Sequence, residues 1–376
     1  MTRWLVVAGD FVPTAGMDMA NLALARYLAR TNIVEVVTHR ADPELVALPN
    51  VRIQQVPRPA GLHLLGEILL NRAGRRAASK VRAAGGRVIV NGGNCRVPAI
   101  NWLHYVHRAY RPEIGGSPLR RLKNHYATDK FRRDELAALG QAESVICNSR
   151  LTARHAVDLL GANPDRVHII YYGTDPLRFP AISTEERLQT RTLLGWGDGP
   201  WALYVGGLGD RRKGFDTLYA AWRTLCSQGT WDANLAVVGR GAELPVWEAR
   251  ASADGLADRI AFLGFRSDVP TILAAADVLV HPTRYEAYGL GVHEALCRGL
   301  PAIVSASAGV AERYPPNLQN LLLNDPENID ELVDRLRDWR KNLDANRDRV
   351  RPFADELRSR TWDDMAAEIQ AIAPTP

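Results

Sequence analysis

Short β-rich runs alternate with longer amphipathic segments along nearly the whole chain. WLVVAG (4–9), NLALARYLAR (21–30) and VEVVTH (34–39) open the first half. The second half carries WALYVGG (201–207), FDTLYAAWRTL (215–225), ANLAVVG (233–239), RIAFLG (259–264), DVLVH (277–281), HEALCRGL (293–300) and PAIVSA (301–306). Strand-length apolar runs separated by helical periods predict parallel sheets flanked by helices, one Rossmann-type sheet in each half. A length of 376 residues agrees with two domains, at roughly 150 residues apiece. YYGTDPLRFP (171–180), rich in turn residues, gives way to the polar ISTEERLQTRTLLG (182–195), which places a linker near 175–190. The domains are therefore read as 1–180 and 181–357, followed by one more helix at TWDDMAAEIQAI (361–372) and a frayed APTP end.

The apolar runs are far shorter than the roughly 20 residues needed to span a bilayer, and WLVVAG turns at once into Asp10 and Pro13, unlike a signal peptide. A cytoplasmic protein is expected. Cys95, Cys147, Cys226 and Cys297 are scattered without ligand spacing, so they read as buried free thiols rather than as a zinc site or disulfides. Charge is uneven: residues 1–180 hold 25 Lys+Arg against 14 Asp+Glu, and the remainder 22 against 28. The excess lies in Arg72, Arg75, Arg76, Lys80 and Arg82, then in Arg120, Arg121, Lys123, Lys130, Arg132 and Arg133. Such faces attract phosphates or a membrane surface, or are simply solvated. Neither stretch has the aromatic interleaving or the module of a nucleic-acid binder.

The densest chemistry lies in HPTRYEAYGLGVHEALCRGLPAIVSASAGVAE (281–312). It starts at the carboxyl end of the expected strand 277–281 and enters a helix around 289–292. Free N–H groups at such a helix start, approached closely through Gly289 and Gly291, can receive a diphosphate. Glu286 stands before the helix, where a carboxylate can accept from sugar hydroxyls, and Glu294 lies inside it, where one can grip a ribose diol. A capping Glu294 and an ordinary loop at Glu286 are the bland alternative.

EAYGLGVHE, with Glu286 and Glu294 separated by seven residues, resembles the Glu-x7-Glu signature of retaining GT-B glycosyltransferases of family four. His281-Pro282-Thr283 is similar to that family's lead-in, and Ala295-Leu296, Gly299-Leu300-Pro301, Ser305, Gly309 and Glu312 follow at its usual places. YVGGLGDRRKGFDTL (204–218) resembles the loop in which an Arg and a Lys hold the donor diphosphate. Lys213 matches by its place before Gly214, whereas many members place the Arg where this chain has Gly207, leaving Arg211 or Arg212 to supply the guanidinium. The turn at Gly239 and the residues after Gly264, Phe265 and Arg266, resemble further donor loops, the latter facing the base. Tyr288, Leu290 and Gly291 join the donor set by the same resemblance.

In the first half, Gly9 and Gly16 do not make a dinucleotide fingerprint. The resemblance instead places Gly16, preceded by Ala15 where the family often has a second glycine, beside the donor phosphates. NWLHYVHRAYRP (101–112) offers His104 and His107, two histidines without a third ligand, and metal binding is rejected. His107 resembles the histidine that faces the donor sugar, with His104 as the fallback.

The resemblance implies a GT-B fold, with two Rossmann-like domains facing across a cleft and the C-terminal helix (358–376) crossing back to the first. It implies a retaining, metal-independent hexosyltransferase that uses a UDP- or GDP-linked sugar and needs no cofactor. Glu286 and His107 would orient the sugar while Lys213 and Arg212 stabilise the leaving group. The acceptor would be a saccharide or lipid-linked, in cell-envelope polysaccharide or glycoconjugate synthesis, with peripheral membrane contact through the basic domain. A nucleotide-sugar-binding protein without catalysis, or a GT-B phosphorylase or epimerase, is the alternative.

Overall fold

A computed structural model describes residues 1–13, 16–61, 63–113 and 118–373. Ala15 and the end of the tail at 374–376 lie outside them. The chain forms two compact units: Met1–Arg111, Gly116–Gly173 and Arg360–Pro376 in the first, Pro112–Gly115 and Thr174–Ser359 in the second.

The first unit begins with β1 (Arg3–Val7), β2 (Asp10–Phe11), α1 (Gly16–Ala29), β3 (Ile33–Thr38), β4 (Arg40–Ala41) and α2 (Pro43–Val46). It continues through β5 (Val51–Gln55), α3 (His63–Ala83), β6 (Arg87–Asn91), β7 (Ala99–Leu103) and α4 (Pro118–Leu139). β8 (Ala142–Cys147), α5 (Arg150–Leu160) and β9 (Val167–Ile169) complete its sheet, whose order is β5-β3-β1-β6-β7-β8-β9. Every pairing in it is parallel.

The second unit runs α6 (Thr184–Leu194), β10 (Trp201–Val205), α7 (Phe215–Ser227), β11 (Asn234–Val238), α8 (Leu244–Ala253) and β12 (Ile260–Gly264). Then come α9 (Val269–Ala275), β13 (Val278–His281), α10 (Leu290–Cys297), β14 (Ala302–Ser305) and β15 (Leu322–Leu323). α11 (Ile329–Lys341) and α12 (Leu343–Ser359) close it, and α13 (Trp362–Ile372) packs on α1 in the first unit. The sheet order is β12-β11-β10-β13-β14-β15, again parallel throughout. Helices on both faces of such a sheet require near-continuous apolar strands. Ala202, Leu203 and Tyr204 of β10 and Val278 and Val280 of β13 are accordingly fully buried.

Both sheets change winding direction beside their first strand, between β1 and β6 and between β10 and β13. In doubly wound sheets the crevice for a ligand opens at this switch, beyond the carboxyl ends of the strands.

One expectation is corrected. The segment taken as part of a linker, 175–190, holds the start of α6, capped by Ser183 and closed by Gly195. The polar composition of α6 misleads because two of its arginines face inward. Arg191 is 7% exposed, and with Arg187 it reaches Asp277 and the carbonyls that precede β13.

Candidate active site

Strand β10 ends at Val205 and the chain descends into a single 3-10 turn, Arg211–Lys213, capped by Asp210, whose carboxylate accepts from Arg212 N. Strand β13 ends at His281 and leads through Pro282–Tyr288 into α10. Thr283, fully buried, staples the two loops together: its hydroxyl reaches Arg212 O at 2.8 Å and Tyr285 O at 3.0 Å. Gly214 has φ +71°, and a Cβ there would lie 1.8 Å from Pro282 O. Main chain thus meets main chain between the loops, which only glycine permits.

This contact brings Lys213 and Glu286 together. The Lys213 ammonium donates to Glu286 Oε2, with Arg212 Nη1 3.8 Å and His281 Nε2 3.5 Å from the same oxygen. Arg212 also donates to Tyr285 O at 3.1 Å and to Asp210. Burial on its own would raise the Glu286 carboxyl, but Lys213, His281 and Arg212 reverse that and hold it far below the usual carboxylate range. Burial lowers His281, aided by the charges of Lys213 and Arg212 and opposed by Glu286.

The start of α10 faces this cluster. Gly289 takes φ +105°, and a Cβ on it would crowd Glu286 Cγ at 3.2 Å. The N–H groups of Leu290 and Gly291 donate to no acceptor among the described residues, and Gly291 is exposed with open space around it. Glu294 lies a turn further along and makes no side-chain hydrogen bond or ion pair among the described residues. Burial pushes its carboxyl up to about 7, against a small opposing pull from Arg178.

The other expected donor residues are arranged differently. Arg211 turns to Asp216, its Nε 3.0 Å from Oδ2, and Asp216 is shared with Arg284. Of the two candidate arginines, Arg212 is therefore the one beside Lys213 and Glu286. The Tyr288 ring is 2% exposed, with its hydroxyl 3.0 Å from His293 Nδ1, so this side chain packs inside. Gly239 leaves room for a neighbouring loop, since a Cβ would meet Gly206 O at 1.8 Å. Phe265 is 66% exposed beneath the Arg240 guanidinium, and Arg266 pairs with Asp268.

Gly16 and His107 belong to the first unit. Gly16 is the first residue of α1. β7 ends at Leu103, and His104 and His107 lie in the loop beyond it. His104 is buried against Tyr172, and burial lowers it to about 3. His107 is partly exposed, with Nδ1 3.1 Å from Glu135 Oε1, and its backbone N–H also donates to that carboxylate. Its Nε2 makes no hydrogen bond among the described residues.

Glu135 and His281 went unselected in the sequence. Glu135 had a local signal: on α4 it shares the inward stripe of Phe131, Ala138 and Leu139, at helical spacings of four and three, and a 1%-exposed acid there implies a partner. His281 was visible as the last residue of its strand and in the lead-in His281-Pro282-Thr283, with nothing there to give it a partner.

The model of Glycosyltransferase Family 4 matches residues 15–178, and that of Glycosyl transferases group 1 matches residues 199–342. The chain belongs to the family-four glycosyltransferases. Among relatives of this family-four enzyme, a D-inositol 3-phosphate glycosyltransferase of Salinispora tropica is 27% identical over 348 residues, 82% of this chain and 70% of that protein. The crystal structure of WaaG, a glycosyltransferase involved in lipopolysaccharide biosynthesis, superposes with a TM-score of 0.76 at 20% identity, covering 100% of both chains. Anabaena HepE in complex with UDP-glucose gives a TM-score of 0.68 at 17% identity over 99% of each chain. These likenesses establish the GT-B fold for the family-four chain.

Proposed function

We propose that the protein is a retaining hexosyltransferase that takes a UDP- or GDP-linked sugar and glycosylates a saccharide or lipid-linked acceptor in cell-envelope polysaccharide or glycoconjugate synthesis. The observation that carries this reading is the ion pair of Lys213 and Glu286 at the β10–β13 switch, beside N–H groups at the start of α10 that have no acceptor among the described residues. Lys213, Arg212 and the Leu290 and Gly291 N–H groups form a donor set for a diphosphate, and Glu286 accepts from hydroxyls of the sugar. Glu294 takes the ribose diol, and Phe265 offers a face to the base. That HepE is known in complex with UDP-glucose supports a nucleotide-sugar donor.

In the reaction the bond from the anomeric carbon to the β-phosphate oxygen breaks, and a bond to the acceptor oxygen forms on the same face. The acceptor's proton passes to the departing phosphate. Lys213 and Arg212 offset the charge that builds on this leaving group, stabilisation that is worth most where water is excluded. Fixed cations supply this without calling on a metal ion. Glu135 holds His107 Nδ1–H, which leaves Nε2 to accept from a sugar hydroxyl.

The first unit holds the acceptor. Arg108, Arg111, Arg132 and Arg133 line a cavity of about 480 Å³ with Asp129, Tyr126 and Leu136, and four arginines against one carboxylate suit a phosphorylated acceptor. The S. tropica relative, named for D-inositol 3-phosphate, supports that class. No helix among the described residues is long and apolar enough to cross a membrane. Exposed Leu122, Tyr126 and Leu136 among the basic residues of α4 suit contact with an anionic surface, with the enzyme working at the cytoplasmic face.

The test is a panel of nucleotide sugars scored by thermal stabilisation and by release of free nucleotide. One donor is expected to stabilise the protein and be turned over when acceptors are added. Stabilisation without release under every acceptor would leave a binding protein, and no response to any nucleotide sugar would refute the proposal.

A further inference from the structure

At the opposite end of the second sheet, beside the amino ends of β13 and β14, lies a cavity of about 230 Å³. Ser183, Arg187, Arg298, Arg347, Arg351 and Arg358 line it, and no acidic side chain does. Ala276 and Gly299-Leu300, which also line it, precede those two strands, whereas Lys213 and Glu286 follow the carboxyl ends of β10 and β13. The cavity is therefore separate from the site described above.

Its charge is not balanced from within. Asp277, 3% exposed, is the one carboxylate shared by Arg187, Arg191 and Arg347. Burial, then the neighbouring charges of Arg347 and Arg191, pull the Arg187 guanidinium down to about 10 despite Asp277. Arg298, 3% exposed, gives Nη2 to both oxygens of Glu186, while among the described residues its buried Nε has no partner and its Nη1 makes no hydrogen bond. The remaining acids stand outward: Asp355 beside Arg358 is 64% exposed, and Asp348 beside Arg351 is 73% exposed. Ser183 and Thr184 add the positive end of the 11-residue α6. Converging guanidiniums with a helix start and spare donors are the chemistry that recognises phosphate.

We propose that this cavity binds a phosphate-bearing anion at a site distinct from the donor's. Its walls come from Ala181–Arg187, soon after the chain enters the second unit, and from Arg347–Arg358, just before it leaves. An occupant ties the entering segment to the leaving one, so the site is suited to an effector rather than a substrate.

The experiment is calorimetric titration of the full chain with inorganic pyrophosphate, in saturating uridine diphosphate and at matched ionic strength. Wild type is expected to bind one pyrophosphate, and Arg351→Glu, a change at a side chain that is 76% exposed, should bind it at least tenfold more weakly. Uridine diphosphate affinity, titrated separately, should be the same in both proteins. Absence of pyrophosphate binding, or equal binding by Arg351→Glu, overturns the site. If uridine diphosphate itself does not bind, the uridine form of the donor is ruled out and guanosine diphosphate takes its place in the titration, and the Arg351→Glu comparison still decides this one. Loss of pyrophosphate binding in Lys213→Met with retention in Arg351→Glu would place the anion at the β10–β13 switch and likewise overturn the proposal.

Discussion

Lys213 and Glu286, 73 residues apart in sequence, form an ion pair at the switch of the second sheet. Each is only about one-fifth exposed or less, so neither charge is well served by water alone. Removing one partner of such a pair leaves the other stranded. Lys213→Met should destabilise the protein by on the order of 3 kcal/mol, and Lys213→Met/Glu286→Gln should recover most of that loss in a chemical denaturation series. Transfer should fall by roughly a hundredfold or more in Glu286→Ala and in Lys213→Ala, and stay low in the double variant. Undiminished turnover in either single variant would refute the assignment.

The pair depends on a glycine. Gly214→Ala has to push Pro282 O away from a Cβ and adopt a strained φ, which separates the turn 211–213 from the loop 282–288. Donor affinity should drop at least tenfold while far-ultraviolet dichroism stays native, and Arg212→Lys, which leaves the loops in place, should lose far less structure by amide exchange around 282–288.

Glu294 titrates near neutrality because it is buried. Its folded value of about 7 lies above the ordinary 4.5, so the folded state holds its proton more tightly than the unfolded one. It favours the fold fully below about pH 4.5 and progressively less as pH rises to 7, a loss of about 3 kcal/mol in all. Glu294→Gln does not titrate, so its melting temperature relative to wild type should climb between pH 5 and 7.5 and then level off. Hydroxyls of a ribose favour the ionised form, and wild-type nucleotide affinity should strengthen across the same interval while that of Glu294→Gln stays flat.

Glu135 positions His107. Glu135→Gln keeps an acceptor for the ring and should lower kcat by roughly tenfold with little change in KM. Glu135→Ala orphans the His107 backbone N–H as well, which should cost about 1–3 kcal/mol in addition to activity. Equal kcat in wild type and Glu135→Gln would show that the pair merely ties the loop to α4.

The strands β10 to β14 of the second unit were legible because each is a short apolar run bounded by glycine, proline or aspartate, as in DVLVH and PAIVSA, whereas the two-residue β15 was too short to read. Fold class follows from that alternation, and motifs placed after two such strands already set Lys213 and Glu286 at the same end of the sheet, where the structure pairs them. What resisted reading are pairings set by tertiary contact. Arg187 and Arg191 look like solvated residues until Asp277, nearly ninety positions away, is seen to bury them. The helical period places Glu135 on the inward stripe of α4 but does not name His107 as its partner, and nothing in the sequence around His281 names Glu286 as the acceptor of its ring. Arg211 and Arg212 are equivalent in sequence, and only the fold sends one to Asp216 and the other to Tyr285 and Glu286.

The return of α13 to the first unit has a consequence for biogenesis. Arg360 donates to Tyr171 O, Arg30 pairs with Asp363, and α13 lies along α1. Residues 174–359 emerge from the ribosome as a finished unit before the piece that seals the earlier one is translated. The part of the chain made first is thus the last to close, and until then the apolar side of α1 awaits its cover, which makes it a natural handle for a holdase chaperone.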